Sequence, residues 1–428
     1  MDLIRPFHGL RPVPDKAAQV AAPPYDVLSS AEARVCGAGR PLSFLHISKA
    51  EIDLWEELDP YDDSVYEKAA ANLKHLITEG TLRLDSAEGY YAYRLEGDGR
   101  SQTGLVVTAS LHAYRNNRIK RHEFTQPAKE TDRTRHIAAL RVQTGPAMLV
   151  YPTSLEVDSL LETATSAIPD TIVTTDAGVS HIIWPITEPL FVEQLTRAFN
   201  SLPALYIADG HHRCAAAERV ARQCAAFLAG AWDGFLAVVF PHHAVHILDY
   251  NRVVTDLNGM NEEEFLLAVQ QRFHVIPSSG EIRPRMRGEF SLYLPGRWFR
   301  LQVHQDRIPR HNPVACLDSS LLSDQILGPI LSIVDLRRDP RINFVGGNRG
   351  TEELEHRVAA GMAAAFQLYP TTIDDLIVVA NSGDVMPPKS TWFEPKLADG
   401  LVSYVLEPTG SAPHSGLDFN ENSAIRPY

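Results

Sequence analysis

LYIADGHHRCAAAERVA, residues 205–221, sets a strand directly against a helix. Leu205, Tyr206, Ile207 and Ala208 form a short apolar run of strand character, and the alanine-rich segment after Arg213 reads as helix. Between them stand an acid, a glycine, two imidazoles and a guanidinium: Asp209, Gly210, His211, His212 and Arg213. A helix start exposes main-chain N–H groups and the positive end of the helix dipole, roughly half an elementary charge, so it attracts anions. Gly210 lets a ligand approach the main chain closely, and Arg213 offers a bidentate fork to phosphate oxygens. The plain alternative is Asp209 as an N-cap, worth about 0.5–2 kcal/mol, followed by surface histidines. Consecutive polar binders ahead of an otherwise alanine-rich helix favour a phosphate site. Zinc is disfavoured here: adjacent histidines project about 100° apart on a helix, and neither an HExxH sequence nor a cysteine cluster accompanies them.

Moving outward, RHEFTQPAKETDR (121–133) lies in a highly polar stretch, 116–136, that reads as a surface loop. Within it Glu123 has the chemistry of a general base toward a hydroxyl, and Lys129 and Arg133 that of cations beside a transferring phosphoryl group. An ion-paired loop is the alternative. AAPPYDVLS (21–29) places Asp26 either beside a metal or substrate or in a rigid Pro-Pro turn, capping the helix that follows. FVGGNRG (344–350) and PPKSTW (387–392) combine turn residues with a cation, and Lys389-Ser390-Thr391 lacks the upstream glycines of a Walker A loop. PHHAVH (241–246), read as strand, puts His242 and His246 on one face and His243 on the other, as core or surface histidines.

The 428 residues carry 40 basic and 53 acidic side chains, a formal charge of −13. That balance argues against a nucleic-acid partner, although eight Arg or Lys fall within residues 115–141. Apolar content of 44% and charged content of 22% fit a globular chain long enough for two or three domains. Four cysteines without a CxxC pair, an N-terminus without an apolar signal core, and no apolar run near ~20 residues point to a cytoplasmic protein with reduced thiols.

Helices are expected at 62–80, 188–202, 212–229, 261–273, 318–327 and 352–368, with hairpins at 89–114 and 289–304 and strands at 146–151, 178–186 and 235–240. Strands and helices mix without strict alternation, so the fold class is α+β. A phosphate-binding region over 1–250, a C-terminal α/β region over 251–408 and a loose tail over 409–428 complete the organisation.

Together, IADGHHR, APPYDV, the RHE-x-T-x6-DR pattern of residues 121–133, RINFVGG and MPPKSTWFEPKL resemble the DUF1015 family, from Arg5 to about Leu406. The family's usual tyrosine after the motif arginine is Cys214 here. DGHHR also resembles the free-serine kinases of the ParB/sulfiredoxin-like superfamily. That second resemblance implies a ParB/sulfiredoxin-like catalytic region in which Gly210, His211, His212 and Arg213 hold nucleotide phosphates and a glutamate activates the acceptor hydroxyl. It implies an ATP- or ADP-dependent, Mg²⁺-requiring kinase acting on serine or a hydroxy acid, with Glu123 as base and Asp209 positioning the metal or nucleophile. Asp26, His122, Lys389 and Ser390 are the candidates for substrate binding. Rival readings are a ParB-like nucleotide-binding switch and a phosphoester hydrolase; a homodimer is compatible with either.

Overall fold

Residues 2–224 and 233–406 are described by the structure, a computed structural model. The fold is α+β. Its largest sheet has nine strands, running in the order Ile119–Lys120, Leu205–Asp209, Ala147–Tyr151, Gly234–Pro241, Arg100–Ser110, Tyr90–Gly97, Ser180–Ile186 and Thr171–Thr174, with Ile4–Arg5 paired beside Ala109 and Thr108. Parallel and antiparallel pairings mix: Leu205–Asp209 runs antiparallel to Ala147–Tyr151, which runs parallel to Gly234–Pro241.

Strand alternation builds two cores from this one sheet. Leu205, Ile207, Leu149, Tyr151, Ala237 and Val239 face helices Leu155–Ala164, Pro189–Asn200 and His211–Cys224 through Val157, Phe199, Cys214 and Val220. Tyr206, Ala208, Met148, Val150, Leu236 and Val238 face the opposite way, onto Leu376, Val379, Phe393 and Leu397 of the returning C-terminal segment. Each fully buried large apolar side chain contributes about 1.5–3 kcal/mol, and a one-residue slip would exchange the two faces, so the register is strongly specified.

Beyond Tyr250 the chain builds a six-stranded sheet, with helices Glu262–Gln270 and Asp318–Leu322 on one face and Gly350–Ala359 on the other. It then comes back. Helix Ile373–Ser382 packs on the first sheet, Trp392–Glu394 pairs with His246–Leu248, and Ser403–Val405 joins a four-stranded sheet with Gly9–Pro12, Leu82–Leu84 and Val142–Gln143. Among the described residues, no helix is long and apolar enough to cross a membrane, and Cys36, Cys214 and Cys316 are free thiols.

Several elements differ from expectation. The polar stretch 116–136 is not a loop throughout: Ile119–Lys120 is an edge strand, and helix Pro127–Leu140 starts with proline in its first turn, where the missing N–H costs nothing. The alanine-rich segment expected to continue a helix to 368 instead ends it at Ala359, and Ala364–Leu368 is a fully buried strand, since tertiary burial overrides alanine's helix propensity. Residues 111–115 form a short helix capped by Ser110 rather than strand, and His242–Ala244 a 3₁₀ turn. Ser29, not Asp26, caps helix Ser30–Gly37, in a reciprocal capping box with Glu32. The expected helix 212–229 is seen as His211–Cys224; its remainder and the tail 409–428 lie outside the described residues.

Candidate functional site

The strand Leu205–Asp209 ends in a β-bulge: Ile207 pairs with Leu149 and Asp209 with Met148, leaving Ala208 as the extra residue. Gly210 follows at φ +92°, and a Cβ there would lie 3.1 Å from Ala147 Cα. Bulge and glycine together turn the chain sharply into helix His211–Cys224. Among the described residues, no backbone carbonyl accepts from the N–H groups of His211, His212 or Arg213; the first helical bond runs from Cys214 N–H to Gly210 O at 3.0 Å.

Asp209 holds this junction rather than reaching away from it. Its Oδ1 accepts the Gly210 N–H at 2.8 Å, and its Oδ2 meets Lys396 Nζ at 3.1 Å and Arg213 Nη2 at 3.7 Å. Burial acts to raise its pKa, but Lys396 and Arg213 hold it well below the usual carboxylate range. Arg213 donates to the Pro146 carbonyl and lies 3.5 Å from Asp26 Oδ2, while its Nε is buried without a partner among the described residues. Asp26 therefore faces the site, tied to it by the motif arginine.

The two imidazoles have a role the sequence does not display. His212 Nε2 accepts the Gln126 N–H at 3.0 Å, and His211 Nε2 accepts the His122 N–H at 3.4 Å. Both rings thus hold the segment 121–126 against the helix start, with His122 O in turn accepting the Met386 N–H at 2.8 Å. Burial, then the nearby Lys129 and Lys389, push the His212 pKa down to about 4, so the ring stays neutral and its Nε2 keeps the lone pair this bond needs.

Glu123 is carried by that segment to the same cavity of about 350 Å³ that Asp26, Lys129, Asp209, Arg213, Lys389 and Lys396 line. Its carboxylate makes no ion pair or hydrogen bond among the described residues. Burial raises its pKa, Asp209 adds to the rise, and Lys389 and Lys129 oppose it. Lys389 lies 5.5 Å from the centre of the Tyr250 ring; burial lowers its pKa, but Tyr250, Glu123 and Asp26 leave it raised. Arg133 also lines this cavity, with its guanidinium on Asp132 at 2.8 Å and over the Tyr25 ring at 3.9 Å from its centre. Ser390 is buried, donating to Pro387 O at 2.7 Å and paired with Ser319 at 2.8 Å, away from the cavity lining.

Two residues escaped sequence reasoning. Lys396 gave no signal beyond its place in a motif. Asp399, 1% exposed, has both carboxylate oxygens without hydrogen-bond partners among the described residues, and burial pushes its pKa up to about 7 although Arg213 opposes the rise.

A family described as a protein of unknown function, DUF1015, matches residues 4–320. The chain belongs to the DUF1015 family. The match stops short of Lys389 and Lys396, and of the RINFVGG and MPPKSTWFEPKL segments through which the sequence resemblance extends to Leu406. No curated protein matches this DUF1015 chain in sequence. Among solved structures it is similar to a free serine kinase in complex with ADP, at 14% identity and a TM-score of 0.34, over 69% of this chain and 92% of that one. SbnI with a C-terminal truncation, from Staphylococcus aureus, aligns over 69% of this chain and 86% of its own at 10% identity and a TM-score of 0.36. A conserved hypothetical protein from Pyrococcus furiosus aligns over 69% and 94% at 12% identity and a TM-score of 0.31.

Proposed function

We propose that this cavity binds the phosphates of a nucleotide, ATP or ADP, and transfers a phosphoryl group to the hydroxyl of a small metabolite, serine or a related hydroxy acid. One observation carries the reading: an unpaired carboxylate, Glu123, shares a cavity with Lys129, Lys389 and the open N–H groups of a helix start. Phosphoryl transfer needs this combination, because charge spreads over the equatorial oxygens while the acceptor hydroxyl loses a proton. The N–H groups of His211, His212 and Arg213 and the two lysines hold phosphate oxygens, and Glu123 takes the acceptor proton. Asp209 and Lys396 keep the helix start in place.

Magnesium accompanies the nucleotide and supplies charge neutralisation at its phosphates. Asp26 suits that ion better than Asp209 does. Asp209 is already bonded to Gly210 N–H and Lys396, whereas among the described residues Asp26 meets only Arg213, at 3.5 Å.

Incubating the protein with ATP or ADP and Mg²⁺, with and without serine, homoserine, glycerate or lactate, tests the reading. Nucleotide turnover that requires an acceptor is expected. Equal turnover without one would make the protein a hydrolase, and tight binding without turnover would make it a nucleotide switch. Glu123→Gln retains size but not basicity, so acceptor phosphorylation should fall roughly 10²–10⁴-fold while nucleotide affinity stays within about a few-fold.

A further inference from the structure

His122 is 1% exposed, and neither of its ring nitrogens has a hydrogen-bond partner among the described residues. The Ile207 backbone is close enough to influence its protonation but makes no hydrogen bond of acceptable geometry to the ring. A buried imidazole with two idle nitrogens is rare, since buried polar groups are ordinarily satisfied. Its surroundings supply a reason. Donor atoms of His122, Glu123 and His211 all lie within 4.8 Å of one another. The two rings stand edge to face, at 89° with centroids 4.4 Å apart. Among the described residues, the only hydrogen bond to these three side chains is the long 3.4 Å contact from His122 N–H to His211 Nε2.

We propose that His122, Glu123 and His211 bind a divalent transition-metal ion, zinc being the best match. Two imidazoles and a carboxylate are borderline donors that suit zinc and its neighbours rather than magnesium, which prefers an all-oxygen shell. Three protein ligands leave a fourth position open, as in sites where the metal meets water or substrate. Glu123 and His211 line both the 350 Å³ cavity and a second cavity of about 1090 Å³, beside Arg121, so the ion has a path from solvent. The frame is already held: Met386 N–H fixes the His122 carbonyl at 2.8 Å, and His212 fixes Gln126 N–H at 3.0 Å. His211 and His212, adjacent on the helix, project about 100° apart. The structure pairs His211 with His122 instead.

The inference goes beyond the phosphotransfer reading and does not depend on it. A bound ion occupies the carboxylate that reading uses as base, so metal loading and phosphoryl transfer are alternative states of Glu123.

The test is metal binding to the full chain after chelator treatment, with Zn²⁺ titrated against a chromophoric chelator and Co²⁺ followed by its visible absorption. One Zn²⁺ per chain is expected, with Co²⁺ bands of four- or five-coordinate intensity. His122→Ala and Glu123→Gln should each weaken Zn²⁺ binding by about 100-fold or more. His274→Ala, which alters a separate histidine pair with rings 4.5 Å apart, should leave binding unchanged. No stoichiometric binding by the unmutated chain overturns the proposal without recourse to any variant. Binding that survives both ligand substitutions, or that His274→Ala abolishes, places the ion elsewhere and also overturns it.

Discussion

Asp318 shows what a single buried side chain costs in this fold. It is 7% exposed, its Oδ1 accepts the Gly288 N–H at 2.9 Å, and its Oδ2 has no hydrogen-bond partner among the described residues. Burial pushes its pKa from 3.8 up to about 7; Arg287 opposes the rise and Asp375 adds to it. Folding therefore takes up a proton between those two values. Stability contributed here is fully present at low pH, declines as pH rises across that window, and is lost above about 7. Asp318→Asn keeps the acceptor for Gly288 and removes the charge. It should stabilise the protein by roughly 1–3 kcal/mol at pH 8 and have little benefit near pH 4. Denaturant unfolding at the two pH values measures this, and an equal effect at both would refute it. The site residues follow the same logic of local accounting. Asp209 keeps its charge because Lys396 stands 3.1 Å away, whereas Asp399 has no such partner and shifts upward.

The elements that matter most are the helix starting at His211 and the segment that leads into helix Pro127–Leu140. They are joined by imidazole-to-backbone bonds as well as by Arg219 Nη1 donating to Thr131 Oγ1 at 2.9 Å. His212→Ala removes the acceptor of Gln126 N–H and leaves that donor without its partner, at a cost of about 1–3 kcal/mol if it stays dry. The amides of residues 121–126 should then exchange faster with deuterium, while those of strand Ala147–Tyr151 keep their protection. Unchanged exchange in 121–126 would mean that the ring does not hold the segment. Polarity alone made this region read as a loop. Periodicity was too weak to reveal the helix, because Pro127–Leu140 buries only Thr134, His136, Ile137 and Leu140. The opposite error occurred at Ala364–Leu368, where helix-forming alanines lie in a strand between Tyr250–Val254 and Glu289–Leu294.

At the scale of the whole molecule, the decisive feature is the return of the chain after its second sheet, which brings Lys389 and Lys396 to a cavity built mostly by residues before 214. If Lys389 holds phosphate, Lys389→Ala should weaken nucleotide binding by about 1.5–3 kcal/mol, the range for charge-assisted hydrogen bonds, as read by calorimetry on a folded variant. Undiminished affinity would reduce the returning segment to a scaffold. Much was written locally: the alternating strands, helix Asp63–Thr78 with its Asp62 cap, and the Asp-Gly junction that starts a helix with open N–H groups. Capping, periodicity and positive φ are properties of neighbours in sequence, so residues 205–221 disclose them alone. The meeting of Glu123 with the helix start, the His122–Glu123–His211 cluster and the salt bridge from Lys396 to Asp209 depend on which strands pair and where the chain comes back. Those choices are made by burial summed over two faces of one sheet, and no short stretch of sequence contains that sum.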